Sequence, residues 1–142
     1  MEFIESPLNY AFIKQMFATD REFYEQTYVC ETHTLDECVE DCVKKLSGSE
    51  ENGQETKFFM IKNNNEWMGF YAINDFEGVF LRTFFIKPNF RHLKTEFINK
   101  LKHEYKTFKA AIYTNNKKAI GYFNREGGEI IGFYGKGLIF KF

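Results

Sequence analysis

The chain has 142 residues, 44% of them hydrophobic and 27% charged, with a formal net charge of −1 at pH 7. That balance excludes a disordered or fibrous chain, fits a single domain over residues 1–142, and gives no global pull toward nucleic acid or an anionic membrane. No apolar run approaches the roughly 18–20 residues a bilayer span needs, and the opening MEFIESPLNY lacks the basic and apolar stretches of a secretory signal, so a soluble cytoplasmic protein is expected.

Met1 to Ile4 reads as a short first strand, and Asn9 to about Thr27 as helix, either continuous or broken in two, with Leu8, Phe12, Met16, Phe17 and Phe23 near a 3.6-residue period. Thr34-Leu35-Asp36-Glu37 is a capping box that opens the clearest helix, followed by the apolar stripe Leu35, Val39, Cys42, Val43 and Leu46. Gly48 is its expected stop, and Ser47 to Thr56 is a polar surface loop. Cys30, Cys38 and Cys42 are an odd number of cysteines and imply no disulfide framework. With His33 they offer neither CxxC nor HxxxH spacing, so buried structural cysteines are expected and no metal site.

Three antiparallel strands are predicted next, at Lys57–Ile61, Glu66–Ile73 and Val79–Lys87, with turns at Asn63–Asn65 and Asn74–Gly78. Gly69, inside the second, suggests a bulge. Pro88 ends the third because proline has no N–H to give a ladder. Leu93, Phe97, Ile98, Leu101 and Tyr105 place a helix at about 92–106, Lys109–Tyr113 is a short strand, and Asn116 opens a helix ended by Gly127-Gly128. Glu129–Tyr134 and Leu138–Phe142 form a closing hairpin. The apolar chain end is either an edge strand that pairs with a second copy, making a homo-oligomer, or is covered within the monomer. The order β-α-α-β-β-β-α-β-α-β-β describes one α+β domain with a mostly antiparallel sheet. Its 18 Phe, 8 Tyr and 1 Trp imply a core of large flat side chains.

This order resembles the GNAT superfamily of acyl-CoA-dependent N-acetyltransferases. The motifs that carry the likeness are the strand ending in Lys-Pro-Asn-Phe-Arg and the later Asn-Asn-Lys-Lys-Ala-Ile-Gly-Tyr-Phe-Asn-Arg-Glu-Gly-Gly. The resemblance implies a GNAT-like fold, acetyl-CoA as co-substrate and an amine acceptor. Leu81 to Ile86 would be the splayed strand, with Phe85 and Ile86 presenting backbone to pantetheine. Arg91, His92, Leu93, Lys94 and Thr95 would surround the diphosphate at the next helix start. Asn116 and Ala119 match the family's Asn-x-x-Ala, and Phe123 stands where a Tyr is common, with Tyr122 about 100° away around the helix.

The sequence also departs from the family pattern. The phosphate loop Arg/Gln-x-x-Gly-x-Gly/Ala has Lys94 and Glu96 at its small positions, and a Glu carboxylate repels a diphosphate. The splayed strand carries no carboxylate. The catalytic candidates are therefore Tyr122 as acid and Asp75 or Glu77, in the turn before that strand, as base. These departures leave two functions: an N-acetyltransferase, or a GNAT-like protein without turnover. The second includes internal virion proteins of tailed phages, a source compatible with a Phe-, Lys-, Asn- and Ile-rich chain, whose partners would be other virion proteins.

Overall fold

The computed structural model describes residues 1–22, 34–48, 55–75 and 78–142. In chain order the elements are β1 (Glu2–Ser6), α1 (Tyr10–Phe17), α2 (Leu35–Gly48), β2 (Thr56–Asn63), β3 (Glu66–Asp75) and β4 (Val79–Ile86). A 3-10 turn (Pro88–Leu93) leads into α3 (Lys94–Tyr105), then β5 (Lys109–Tyr113), α4 (Lys117–Arg125), β6 (Glu129–Tyr134) and β7 (Gly137–Lys141).

The strands form one seven-stranded sheet in the order β1-β2-β3-β4-β5-β7-β6. Every neighbouring pair is antiparallel except β4 and β5. That pair must be parallel, because α3 carries the chain back across the sheet between the two strands.

Local chemistry explains most of these elements. Asn9 caps α1 by accepting from the Phe12 N–H at 3.0 Å, and the Thr34 hydroxyl accepts from Glu37 at 3.3 Å as the capping box requires. The β2–β3 turn places Asn64 at φ 49° and Asn65 at φ 66°, left-handed conformations that asparagine tolerates and a tight hairpin needs. α1 is shorter than its periodicity suggests. It stops at Phe17 and the chain is helical again at Arg21 and Glu22, so the stretch is broken rather than continuous; Phe23 and the rest to Thr27 lie outside the described residues, as do Cys30 and His33.

Two apolar layers sandwich the sheet. On one face α1 and α2 bury Phe12, Met16, Phe17, Val39 and Leu46 against Phe58, Phe70 and Phe85, and Cys38 and Cys42 are buried in the same layer. Cys42 is a free thiol, whereas Cys38 is disulfide-bonded, which corrects the expectation that the cysteines form no disulfide. On the other, α3 and α4 bury Phe97, Ile98, Leu101 and Phe123 against Tyr71, Leu81 and Phe140. Trp67, Phe70 and Tyr71 are packing residues, with Phe12 edge-on to Trp67 at 5.4 Å. Met68 is the extra residue of a bulge beside Gly69, and Gly69 has its own reason: a Cβ there would collide with the carbonyl oxygen of Phe85. The chain end is covered, since β7 lies between β5 and β6, and the outer strand on that side is β6. Among the described residues no helix is long and apolar enough to cross a membrane.

Candidate active site

The site originates in a sheet irregularity. Phe80 pairs with Lys109 and Leu81 with Ala110, and the parallel register stops there. On its other side β4 pairs Leu81 with Ile73 and Thr83 with Ala72, so Arg82 is an inserted residue. Such a bulge bends a strand and raises its twist. From Arg82 onward β4 follows β3 while β5 follows β7 up to Tyr113, and a wedge opens between the two strands.

Two cavities meet in that wedge at Phe84, Asn116 and Ala119. The first, about 380 Å³, lies between the end of β4 and the starts of α3 and α4. Its lining includes five cationic side chains, Arg91, Lys94, Lys117, Lys118 and Arg125, and two carboxylates, Asp20 and Glu22. Arg91 is ion-paired with Asp20, and Lys118 with Glu22 at 3.0 Å. Lys94 is pushed below the ordinary lysine pKa, by desolvation first and then by Arg91, Arg125 and Lys118. A cavity that presses cations together in this way is prepared for a multiply charged anion.

The second cavity, about 280 Å³, lies on the α2 side of the wedge. Cys42, Leu46, Leu81, Ile112 and Phe123 give it an apolar wall, with Lys45, Arg82, Tyr113 and Tyr134 also lining it. Lys45 is tied to Asp41 at 3.0 Å and donates to the Tyr113 hydroxyl at 3.4 Å.

The residues singled out in the sequence fall into three groups. Phe85, Ile86, Arg91, Lys94, Asn116 and Tyr122 line the cationic cavity. Leu93, Thr95, Phe123 and His92 do not: Leu93 packs against the α3–α4 core, and Thr95 donates to the Glu126 carboxylate at 2.7 Å. His92 is exposed, and Phe123, fully buried, forms part of the α2-side wall. Asp75 pairs with Val79 beyond the closed end of the wedge and lines neither cavity, which removes it as a base for chemistry in the wedge; Glu77 lies outside the described residues.

Two further expectations are corrected by the local geometry. The 3-10 turn directs the Lys94 N–H onto the Arg91 carbonyl, so the first helical N–H of α3 is spent within the chain. Tyr122 does not turn away from the wedge. It and Phe123 divide between the two cavities, and the Tyr122 hydroxyl donates to the Lys94 carbonyl at 2.7 Å beneath the Lys94 ammonium, 5.2 Å from its ring. Burial raises the Tyr122 pKa well above the tyrosine range. Asn116 caps α4 by accepting from Ala119 at 3.2 Å, which fixes the segment shared by both cavities.

Lys117, Lys118, Arg125, Asp20 and Glu22 join the site without having been singled out in the sequence. A signal for two of them is present: Lys118 and Arg125 recur with Tyr122 at i, i+4 and i+7 and so share one helix face. The two acids follow α1 and approach the cavity only through tertiary packing.

A family model described as "Acetyltransferase (GNAT) domain" matches residues 33–124, and the chain belongs to that family. An acetyltransferase from Thermus thermophilus is similar at TM-score 0.74 and 17% identity, over 100% of this chain and 97% of that one. The PaiA N-acetyltransferase of Thermoplasma acidophilum, in complex with coenzyme A, gives TM-score 0.65 and 14% identity over 99% and 98% of the two chains. The Campylobacter jejuni N-acetyltransferase PseH, in complex with acetyl coenzyme A, gives 0.60 and 16% over 99% and 96%. At these identities the likeness is one of fold: a GNAT fold with a mostly antiparallel sheet. No curated protein matches the sequence.

Proposed function

We propose that the protein is an acyl-CoA-dependent N-acetyltransferase that passes an acetyl group directly from the thioester to an amine. The observation that carries this reading is the end of the parallel register at Leu81 and Ala110, which opens a wedge joining a cationic cavity to an apolar one. Arg91, Lys94, Lys117, Lys118 and Arg125 would hold the phosphates of acetyl-CoA through side-chain charge, in place of the glycine loop this sequence lacks. The pantetheine arm would run beside Phe84, Phe85 and Ile86, and the thioester would lie where the two cavities meet.

The acceptor enters from the α2 side. Among the described residues that lining carries Lys45 and Arg82 and no carboxylate, which favours a neutral or carboxylate-bearing amine over a polycation. In the transfer the amine nitrogen bonds to the thioester carbon, the carbon–sulfur bond breaks, and the amine proton passes to water. A thiolate whose acid has a pKa of about 8.5 leaves without obligatory protonation. Tyr122, a weaker acid than that thiol and bonded to the Lys94 carbonyl, acts by holding α4 to the start of α3. Placement of the two reactants supplies most of the rate.

The engaged Tyr122 hydroxyl favours one alternative, an interaction protein of this fold without turnover. Calorimetry and thermal melting with acetyl-CoA, followed by thiol release with a panel of amines, separate the two. Acetyl-CoA at 100 times its dissociation constant adds about 2.7 kcal/mol of stability. No shift at millimolar acetyl-CoA ends the acetyltransferase reading, and binding without thiol release supports the alternative.

A further inference from the structure

We propose that the acceptor is a small amino acid with an apolar body, and that Arg82 selects it by pairing with its carboxylate. The proposal rests on the acetyltransferase reading and names the substrate class of its acceptor end.

Arg82 is the inserted residue of β4. A bulge re-aims a side chain that regular alternation would direct elsewhere, and here the side chain reaches α2. Its Nη2 donates to the Lys45 carbonyl at 3.3 Å, in the last turn of α2, where carbonyls lack donors within the helix. That contact holds the guanidinium at the α2-side cavity and spends only part of its donor fork. Among the described residues no carboxylate lies within ion-pair distance of it. Lys45, the other cation of the lining, is paired with Asp41 at 3.0 Å. The positive charge left without a counter-charge is therefore that of Arg82. A single charge on a planar fork matches a planar monoanion with two oxygens, which is a carboxylate.

The wall sets the body of the acceptor. Cys42, Leu46, Leu81, Ile112 and Phe123 are buried, so an apolar group beside them gains by leaving water. A cavity of about 280 Å³ is small for a ligand site and suits one small molecule, not a run of polypeptide.

Charge decides between an acid and a plain amine of the same shape. In neutral water an aliphatic amine is an ammonium ion. Both cavities carry more cations than carboxylates, so a plain ammonium enters against the field. An amino acid enters with no net charge, its carboxylate drawn to Arg82 and its nitrogen free to turn toward the junction at Phe84, Asn116 and Ala119. There the ammonium gives one proton to water and the nitrogen bonds to the thioester carbon. The carbon–sulfur bond breaks to release the coenzyme A thiolate, and the second proton also passes to water. The product is an N-acetyl amino acid.

Thiol release at saturating acetyl-CoA tests this. L-phenylalanine and L-leucine are compared with phenethylamine and isoamylamine, which have the same bodies without the carboxylate. The wild type is expected to favour each acid by about 10-fold or more in kcat/KM. Arg82→Gln should lower the acid-to-amine ratio by about 10- to 30-fold, through the KM of the acids, with acetyl-CoA affinity within about twofold of wild type. A purely structural role for Arg82 would lower both members of each pair together and leave the ratio unchanged. Arg82→Lys, which keeps the charge without the fork, should retain part of the preference. Amines turned over as fast as the acids, or a preference that survives in Arg82→Gln, overturns the proposal and leaves acetyl transfer standing. So does acetyl-CoA binding with no thiol released by either acid. Failure of acetyl-CoA to bind overturns instead the reading beneath it. The ratio is read first in the wild type, so a variant that folds poorly does not shelter the proposal.

Discussion

The cavity at the end of β4 and the cavity on the α2 side share three residues and little else. The first draws its charge from two helices whose starts converge, with Arg91 and Lys94 before or at α3, and Lys117, Lys118 and Arg125 on α4. The second draws its apolar wall from residues of adjoining strands and from one face of α2. The contrast shows how one sheet defect serves two chemistries. Strands deliver shape, because their side chains are fixed by the pleat, whereas the helices beside them deliver charge. The cationic cavity is under electrostatic load, seen in the depressed Lys94, and Asp20 and Glu22 offset part of it.

The largest expected effect comes from displacing β4, the strand that lines both cavities. Gly69→Ala drives a methyl into the Phe85 carbonyl and must displace β3 from β4, at a cost of about 3 kcal/mol or more in stability. Chemical denaturation should show that loss, and acetyl-CoA binding should disappear with it. Unchanged stability would mean that β4 is not held in the position described.

A charge reversal separates the two regions. Lys94→Glu should weaken acetyl-CoA by roughly 30- to 100-fold in calorimetry, since it replaces a half-buried cation with a repelling carboxylate. Lys45→Glu, in the other cavity, should change that affinity by no more than about twofold. Equal losses from both would dissolve the distinction between an anion end and an acceptor end.

The load on Lys94 is itself measurable. Its pKa is lower in the folded chain than the ordinary 10.5, so the unfolded chain holds this proton more tightly. Stability therefore rises with pH between the folded value and 10.5, and the penalty is complete below that window. Lys94→Met should melt higher than wild type at neutral pH, with the gap narrowing as pH approaches 10.5. A gap that stays constant with pH would show that Lys94 is not desolvated.

The smallest effect is expected at Tyr122. Tyr122→Phe removes the hydrogen bond to the Lys94 carbonyl, costs about 1 kcal/mol of stability, and leaves thiol release within a few-fold of wild type. A loss of turnover far beyond that, with binding intact, would restore the hydroxyl as a proton donor.

The order of elements and most strand and helix bounds are legible in the sequence, because caps, turn asparagines, Pro88 and hydrophobic periods are local signals. Thr34, Asn116 and the Asn64-Asn65 turn act within a few residues of themselves, and each performs the part its chemistry dictates. The periodicity does not mark where α1 ends at Phe17, because the break before the helical residues Arg21 and Glu22 carries no local stop signal such as proline or glycine. The family resemblance singles out Arg91, Lys94 and Asn116, and the structure places all three in the lining of the cationic cavity. Asp75 is misplaced by sequence alone, because nearness in sequence to β4 says nothing about which end of the strand is open.

By itself the sequence determined an α+β chain of GNAT order, its aromatic core, and the substitution of Lys94 and Glu96 for small loop residues. Only the tertiary structure decided where β4 and β5 part, that Lys118 and Arg125 join Arg91 across the gap, that Asp20 turns toward them, and that β6 rather than β7 is the outer strand. Short-range hydrogen bonding and periodicity are written residue by residue. Convergence of charges from segments dozens of residues apart depends instead on how a twisted sheet directs its strand ends, and a single inserted residue such as Arg82 changes that direction.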